Sequence, residues 1–179
     1  MEFHDVRFLL GREFYPDLAD LPWFTPLEAW ESGDIKFLDI RRGISRHPVR
    51  FVKRKKYSYA IKQTSESAAE TEMQNYFKLL QLGIHTLTPV GTVIVSKPPI
   101  EVQTKVSTEY EKDELSFIVT VLEEKALPDS YLFKLKFTAD NRRMILSAIA
   151  ELFAQLHARN IFWGDASLAN MLVRFVKIK

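Results

Sequence analysis

Alternating apolar and polar positions predict three neighbouring strands in the first half of the chain. The runs lie at residues 35–40, 49–52 and 57–62, and short polar segments separate them. Each run is short and rich in β-branched and aromatic side chains, as strands usually are. Strands joined by such connections favour an antiparallel meander. Two further strands are predicted at residues 90–95 and 115–122.

A helical period replaces this alternation in residues 67–82. Apolar side chains recur there three or four residues apart, which places them on one face of a helix. Gly83 follows the last of them and predicts the end of the helix. The repeating positions are Ala69, Met73, Tyr76 and Leu80.

A second and longer helix is predicted for residues 141–159, with Asp140 as its N-cap. Its apolar positions form one wide face, which is typical of a helix packed on a core. These positions are Met144, Ile145, Ala148, Ile149, Leu152, Phe153 and Leu156.

Residues 1–33 show neither period. They combine three prolines with bulky aromatic side chains, a mixture typical of short helices and turns packed on a domain as a lid or brace. With the strands and helices that follow, this order predicts an α+β protein. We expect a small antiparallel sheet with one packed helix, joined to a helical lobe.

The composition narrows the class of protein. The chain has 179 residues, of which 46% are hydrophobic, so its apolar surface is sufficient for a substantial core. It has no cysteine, which excludes disulfides, thiolate metal sites and cysteine nucleophiles. The formal net charge of +2 is too small to indicate a nucleic-acid partner. No membrane-spanning helix is expected, and a cytoplasmic protein is the default expectation.

Lys62 is the first candidate binding residue. Strand alternation puts Ala60 and Lys62 on one face of the third strand, and Tyr59 and Ile61 on the other. A small residue beside the lysine leaves room for a flat ligand next to an ammonium group that can reach phosphate oxygens. The alternative is a solvated lysine at the end of a strand.

Glu72 is the candidate partner of Lys62. It lies within the apolar stripe of the predicted helix, three residues after Ala69 and four before Tyr76. A carboxylate that faces inward needs a partner, because an unpaired buried charge is very costly. Glu70 lies just beside the stripe and is the rival, and a solvated Glu72 on the flank of the helix is the other alternative.

Asp165 and Asn170 lie just after the long predicted helix. An Asp at such a turn can orient a hydroxyl group and accept its proton. An Asn on the following turn can offer a carbonyl oxygen to Mg²⁺, which prefers oxygen ligands. This spacing also arises by chance, and its place directly after the helix is what gives it weight.

The polar connection at residues 41–48 is a candidate phosphate loop. Gly43, Ser45 and backbone amides of a strand-to-strand turn can cover phosphate groups, and the segment also holds three arginines. A basic hairpin turn without a ligand is the alternative.

In this order the features resemble the protein-kinase-like fold. Residues 59–62 (Tyr-Ala-Ile-Lys) are similar to the Val-Ala-Ile-Lys strand of kinases, and Glu72 takes the place of its partner on the following helix. More narrowly, residues 42–47 and 161–170 resemble an uncharacterised bacterial family akin to the lipopolysaccharide (Kdo/WaaP-type) kinases. The similarity extends from about residue 21 to residue 173.

The resemblance implies a division of the chain and a reaction. Residues 34–122 would be the N-lobe, behind an N-terminal extension at 1–33; residues 123–129 would be the hinge, and residues 130–179 part of the C-lobe. The reaction would be transfer of the γ-phosphoryl group of ATP to a hydroxyl of a small-molecule, lipid or glycan acceptor, with ATP and Mg²⁺ as cofactors.

The resemblance also assigns roles to single residues. Lys62 would hold the α- and β-phosphates and Glu72 would hold the lysine, while Asp165 would be the catalytic base. Asn170 would bind Mg²⁺. The remaining ligand contacts would come from the phosphate loop, the adenine pocket and the hinge, at Gly43, Ser45, Ala60, Leu172 and Glu123.

Three departures from the kinase pattern shape the expectation. The candidate phosphate loop has one glycine, and Trp163 stands where kinases usually have a histidine. No acidic residue follows Asp165, so the Asp-Phe-Gly segment is missing. We therefore expect a C-terminally truncated kinase-like domain with impaired transfer. Its long helix would be partly uncovered, which favours a homodimer or a covering partner.

Two other functions remain open from the sequence. A pseudokinase would use the same fold as a nucleotide-binding or protein-interaction module, without phosphoryl transfer. A structural α+β domain whose motifs match kinases by chance is the third hypothesis.

Overall fold

The computed structural model describes residues 6–40, 46–96, 114–128, 137–164, 166 and 170–174. These residues divide into two units. The described residues up to Leu122 form the first unit, except for residues 82–84. The second unit consists of residues 82–84 and the described residues from Glu123 onward.

The first unit is built on one antiparallel sheet. Its described strands have the order β1-β5-β6-β4-β3-β2, so the predicted three-strand meander forms one side of the sheet and is confirmed. The strands are β1 (Val6–Leu10), β2 (Lys36–Phe37), β3 (Val49–Lys53), β4 (Ser58–Thr64), β5 (Pro89–Ser96) and β6 (Glu114–Val121).

The central strands β5 and β6 are buried along almost their whole length. Their sequences contain nearly continuous apolar runs, which suit strands covered on both faces. Gly91 is needed where β1 meets β5, because a Cβ atom there would lie 2.0 Å from the carbonyl oxygen of Leu9. Its φ of 142° is also one that side-chain-bearing residues rarely adopt.

The strand β1 corrects the prediction for the N-terminal extension. The sequence predicts only short helices and turns for residues 1–33, yet Val6–Leu10 pairs with β5 in the sheet. The predicted short helices are present as α1 (Tyr15–Leu18) and a 3₁₀ turn (Leu27–Ala29). A five-residue run flanked by an aromatic- and proline-rich segment gave too little alternation to indicate a strand.

One face of the sheet is covered by residues 14–30, which we call the N-terminal cover. Its buried side chains pack against sheet residues that include Tyr59, Ile61 and Phe117. Trp23 is central to this cluster, with its ring 5.2 Å from that of Phe117 and 5.4 Å from that of Trp30. The buried members from the cover are Phe14, Leu18, Leu21, Trp23, Leu27 and Trp30.

Polar contacts fasten the N-terminal cover to β4 and its neighbours. The buried Gln63 side chain accepts a hydrogen bond from the backbone N–H of Leu27 at 2.7 Å. The Tyr59 hydroxyl donates to Asp17 Oδ2 at 3.1 Å, and Arg54 Nε donates to the Asp17 carbonyl at 2.7 Å. The cover is therefore an integral layer of the first unit.

The other face of the sheet carries the helix α2 (Glu66–Gln81). Ala69 and Met73 are buried against Ile118 of β6, with Tyr76 packed beside them. The predicted helix is confirmed to within one residue at each end. The stop at Gly83 is confirmed by its φ of 69°, which glycine adopts without strain.

The second unit contains the helix α3 (Ala139–His157) and a two-strand pair of β7 (Leu127–Pro128) with β8 (Leu172–Val173). The predicted cap of α3 is wrong. Thr138 is the N-cap, and its side chain accepts a hydrogen bond from the Asn141 N–H. Asp140 lies in the first turn instead, where its charge complements the helix dipole.

The apolar face of α3 is unevenly covered. Ile145 and Leu156 are buried, whereas the Met144 side chain is 62% exposed. Homodimer formation, or cover by a partner, stays a prediction. No helix in the described part of the chain has the length and apolar character to cross a bilayer.

Candidate functional site

The strand β4 places Lys62 on the α2 side of the sheet. In the register of the sheet, Lys62 lies opposite Ile118 of β6, and Ala60 lies opposite Thr120. Residues that pair across antiparallel strands share a face, so Ala60 and Lys62 lie on the face that α2 covers. Tyr59 and Ile61 belong to the core under the N-terminal cover, as the alternation predicts.

The helix α2 supplies the partner of Lys62. Lys62 Nζ donates a hydrogen bond to Glu72 Oε2 at 2.6 Å, so the predicted ion pair is confirmed. Glu70, the rival carboxylate, is exposed on the helix. Glu72 rather than Glu70 pairs with Lys62 because it precedes the buried Met73 by one residue and follows the buried Ala69 by three. This position turns Glu72 towards the sheet.

Tyr76 contacts the same carboxylate from the next turn of α2. Its hydroxyl donates to Glu72 Oε1 at 2.9 Å, so each carboxylate oxygen accepts one hydrogen bond. Burial raises the pKa of the Tyr76 phenol, and the charge and hydrogen bond of Glu72 raise this pKa further. The hydroxyl is therefore a donor throughout the neutral pH range.

The hydrogen bond from Tyr76 to Glu72 is missed by sequence reasoning, which treats Tyr76 only as part of the apolar stripe. The available signal is its spacing from Glu72, because side chains four residues apart on a helix are neighbours. A tyrosine at such a position can bury its ring and donate its hydroxyl to the carboxylate at the same time. Lys62, Glu72 and Tyr76 together form the group that we call the Lys62 cluster.

The Lys62 cluster is accessible to solvent. The side chains of Lys62 and Glu72 are 29% and 30% exposed, so their charges are neither fully hydrated nor sealed in the core. An ammonium group has three N–H donors, and Glu72 engages one of them. The arrangement holds a cation in a defined position at a surface that an anionic ligand can reach.

Other predicted site residues belong to the second unit. Glu123 is its first residue after the sheet, and Glu123 Oε2 accepts a hydrogen bond from Arg174 Nη1 at 3.0 Å. Leu172 lies on β8 and is 44% exposed, and Asn170 is an exposed residue just before that strand. That these residues share a ligand with Lys62 stays a prediction.

Three predicted site residues lie outside the described residues. They are Gly43 and Ser45 of the candidate phosphate loop and the candidate base Asp165. Among the residues that the structure describes, no group of three or more His, Cys, Asp or Glu side chains has the geometry to hold a metal ion. Asn170, the predicted Mg²⁺ ligand, is an exposed residue of the described part.

Comparisons with known proteins return nothing for this chain. No family model matches the sequence, and neither a curated protein nor a solved structure matches it. Any function must therefore be argued from the Lys62 cluster and from the motifs themselves.

Proposed function

We propose that this chain is a kinase-like, ATP-binding domain. In this proposal it transfers the γ-phosphoryl group of ATP to a hydroxyl of a small-molecule, lipid or glycan acceptor. The acceptor class follows only from the resemblance to the lipopolysaccharide kinases. The pseudokinase, which binds nucleotide without transfer, is the alternative that the experiment below separates from it.

One observation carries the proposal, namely the 2.6 Å pair of Lys62 on a strand and Glu72 on the next helix. Protein kinases require a strand lysine paired with a helix glutamate before they bind ATP productively. The pair alone contributes little to folding, because ion pairs with this much exposure are worth about 1 kcal/mol or less. A role in ligand binding explains why two long side chains are held together here.

Within this proposal each residue has a defined task. Lys62 donates hydrogen bonds to oxygens of the α- and β-phosphates, and Glu72 keeps the ammonium group in place. Ala60 leaves space beside Lys62 for the flat adenine ring or ribose. Asp165 orients the acceptor hydroxyl and takes its proton as the oxygen attacks the γ-phosphorus.

The Mg²⁺ ion expected with ATP would neutralise charge on the phosphate oxygens. Asn170 is the proposed protein ligand, and an amide oxygen suits a hard cation. The tasks of Lys62, Glu72 and Asp165 belong to their side chains, and none depends on the position of the ion.

The test is direct measurement of ATP binding by isothermal titration calorimetry in the presence of Mg²⁺. We expect the Lys62→Ala variant to bind ATP at least about tenfold more weakly than the wild type, because a phosphate contact of about 1.5–3 kcal/mol is lost. Lys36→Ala is the matched control, since Lys36 is exposed on the edge strand β2. It should bind ATP like the wild type.

Equal ATP affinity of the wild type and Lys62→Ala would contradict the proposal. Absence of binding to the wild type would also contradict it, and would leave the structural α+β domain as the better account. ADP release in the presence of candidate acceptors then separates a transferase from a pseudokinase. Binding that depends on Lys62 without any ADP release would favour the pseudokinase.

A further inference from the structure

We infer that Tyr76 is a positioning residue for Lys62, acting through the carboxylate of Glu72. This inference rests on the proposed function where it concerns ATP, and on the structure alone where it concerns the position of Lys62. Sequence motifs of kinases assign no role to this tyrosine.

The two oxygens of the Glu72 carboxylate accept hydrogen bonds from different donors. Lys62 Nζ donates to Oε2 at 2.6 Å, and the Tyr76 hydroxyl donates to Oε1 at 2.9 Å. With one oxygen held by Tyr76, rotation of the carboxylate about its last bond is restricted. The other oxygen is then fixed in the position that the Lys62 ammonium group needs.

The Tyr76 hydroxyl is held more firmly than the Lys62 ammonium group. The Tyr76 ring packs against the buried group of Ala69, Met73 and Ile118, so its hydroxyl is held by the core between α2 and the sheet. Lys62 has a flexible four-carbon side chain, and its end is accessible to solvent. Packing against the core therefore restricts Tyr76, the hydrogen bond from Tyr76 restricts the Glu72 carboxylate, and Glu72 restricts the end of the Lys62 side chain.

The electrostatics of the Lys62 cluster also support a role of Tyr76 in positioning Glu72. The Tyr76 phenol holds its proton more firmly than a free phenol because it is buried beside the Glu72 charge. A neutral phenol can only donate to a carboxylate, whereas a phenolate would repel it. Tyr76 thus keeps Glu72 oriented without competing with it for the lysine.

The decisive variant is Tyr76→Phe, which removes the hydroxyl and keeps the ring. The matched control is Tyr59→Phe. Tyr59 also donates its hydroxyl to a carboxylate, Asp17, but it does so under the N-terminal cover on the opposite face of β4. Both variants lose a tyrosine–carboxylate hydrogen bond, but only Tyr76 belongs to the Lys62 cluster.

The first readout needs no ligand. The proton–nitrogen NMR signal of the Lys62 ammonium group, assigned by its loss in Lys62→Arg, reports how long the ammonium group stays in the ion pair. We expect this signal to broaden or shift in Tyr76→Phe and to stay unchanged in Tyr59→Phe. An unchanged Lys62 signal in Tyr76→Phe overturns the inference, whatever the protein binds.

The second readout is ATP affinity measured by calorimetry. We expect Tyr76→Phe to bind ATP about three- to tenfold more weakly than the wild type, with Tyr59→Phe unchanged. In a Glu72→Ala background, Tyr76→Phe should have no further effect, because its action passes through Glu72. An additive loss in that background overturns the inference and assigns Tyr76 a separate role.

The two readouts distinguish the failure of each claim. If the Lys62 signal changes in Tyr76→Phe but the wild type binds no ATP, the positioning role stands and the proposed function falls. If ATP binding depends on Lys62 but is as strong in Tyr76→Phe as in the wild type, the proposed function stands and the positioning role falls.

Discussion

The two faces of strand β4 carry similar groups in different surroundings. On each face a tyrosine hydroxyl donates to a carboxylate, Tyr59 to Asp17 on one side and Tyr76 to Glu72 on the other. On the first face the tyrosine belongs to β4 itself, and on the second face β4 supplies Lys62. The faces differ in the burial of the tyrosine, which is complete for Tyr59 and partial for Tyr76.

Under the N-terminal cover the polar groups are used to hold chain segments together. Tyr59 is fully buried, and Asp17 Oδ2 accepts hydrogen bonds from both the Tyr59 hydroxyl and the Lys56 N–H. Arg54 forms an ion pair with Asp20 and holds the pKa of that carboxyl below its usual value by its hydrogen bond and charge. These contacts connect the cover to the β3–β4 turn.

On the α2 face the charged pair is partly exposed and holds no separate segment in place. Lys62 and Glu72 join a strand to the helix that already packs on the sheet through Ala69 and Met73. Similar hydrogen bonds therefore join a separate chain segment to β4 on one face and add to an existing helix–sheet packing on the other. Three variants test this division.

The largest effect is expected for Trp23→Ala under the N-terminal cover. The Trp23 ring is almost completely buried, and its Nε1–H donates to the Leu18 carbonyl at 2.9 Å. Loss of a core tryptophan costs about 3–5 kcal/mol in the free energy of unfolding, measured by chemical denaturation. Phe77→Ala, at a half-exposed position of α2, is the control and should cost about 0.5 kcal/mol. If Trp23→Ala and Phe77→Ala lowered the free energy of unfolding equally, Trp23 would contribute no more to stability than a half-exposed residue of α2.

An intermediate effect is expected for Tyr59→Phe, which should lower the free energy of unfolding by about 1–3 kcal/mol. Burial, and then the charge of Asp17, raise the pKa of the Tyr59 phenol above its ordinary value of 10.0. The unfolded chain therefore releases this proton first, and stability falls as the pH rises above 10.0. This alkaline loss should be smaller in Tyr59→Phe. A slope identical to that of the wild type in denaturation series between about pH 8 and 11 would contradict the assignment.

The smallest effect on stability is expected for Glu72→Gln. The pair is partly exposed, so its loss should change the free energy of unfolding by about 1 kcal/mol or less. ATP affinity should nevertheless fall about tenfold, because Lys62 loses the charge that positions it. Glu70→Gln, two residues earlier on the same helix, should leave both quantities unchanged. A large loss of stability in Glu72→Gln would show that the pair is mainly structural.

Much of the first unit could be predicted from local pattern. The strands β3 and β4 and the helix α2 have periodic patterns, β5 and β6 have short apolar runs, and the ends of α2 were predicted within one residue. Glu72 as the candidate partner of Lys62, with Glu70 as its rival, followed from the period of a strand, the period of a helix and the cost of an unpaired charge. Each of these signals is contained within a few neighbouring residues.

The predictions that failed depended on partners distant in sequence or on fine geometry. Residues 6–10 form a strand because β5 offers an edge to pair with, some eighty residues later in the chain. The cap of α3 is Thr138 rather than Asp140 because the helix begins at Ala139, before the predicted start at residue 141. Choices between two nearby cap residues depend on backbone angles that composition does not determine.

The α+β class, the main strands and helices, and Lys62, Ala60 and Glu72 as candidate residues all follow from the amino-acid sequence, because periodicity and charge pairing are local properties. The folded structure was needed to show that Glu72 rather than Glu70 meets Lys62, and that Tyr76 holds the second carboxylate oxygen. It also decided that the N-terminal cover seals the opposite face of β4. These outcomes depend on how α2 and the cover pack on the sheet, and distances of 2.6 and 2.9 Å arise only when those packing surfaces are in place.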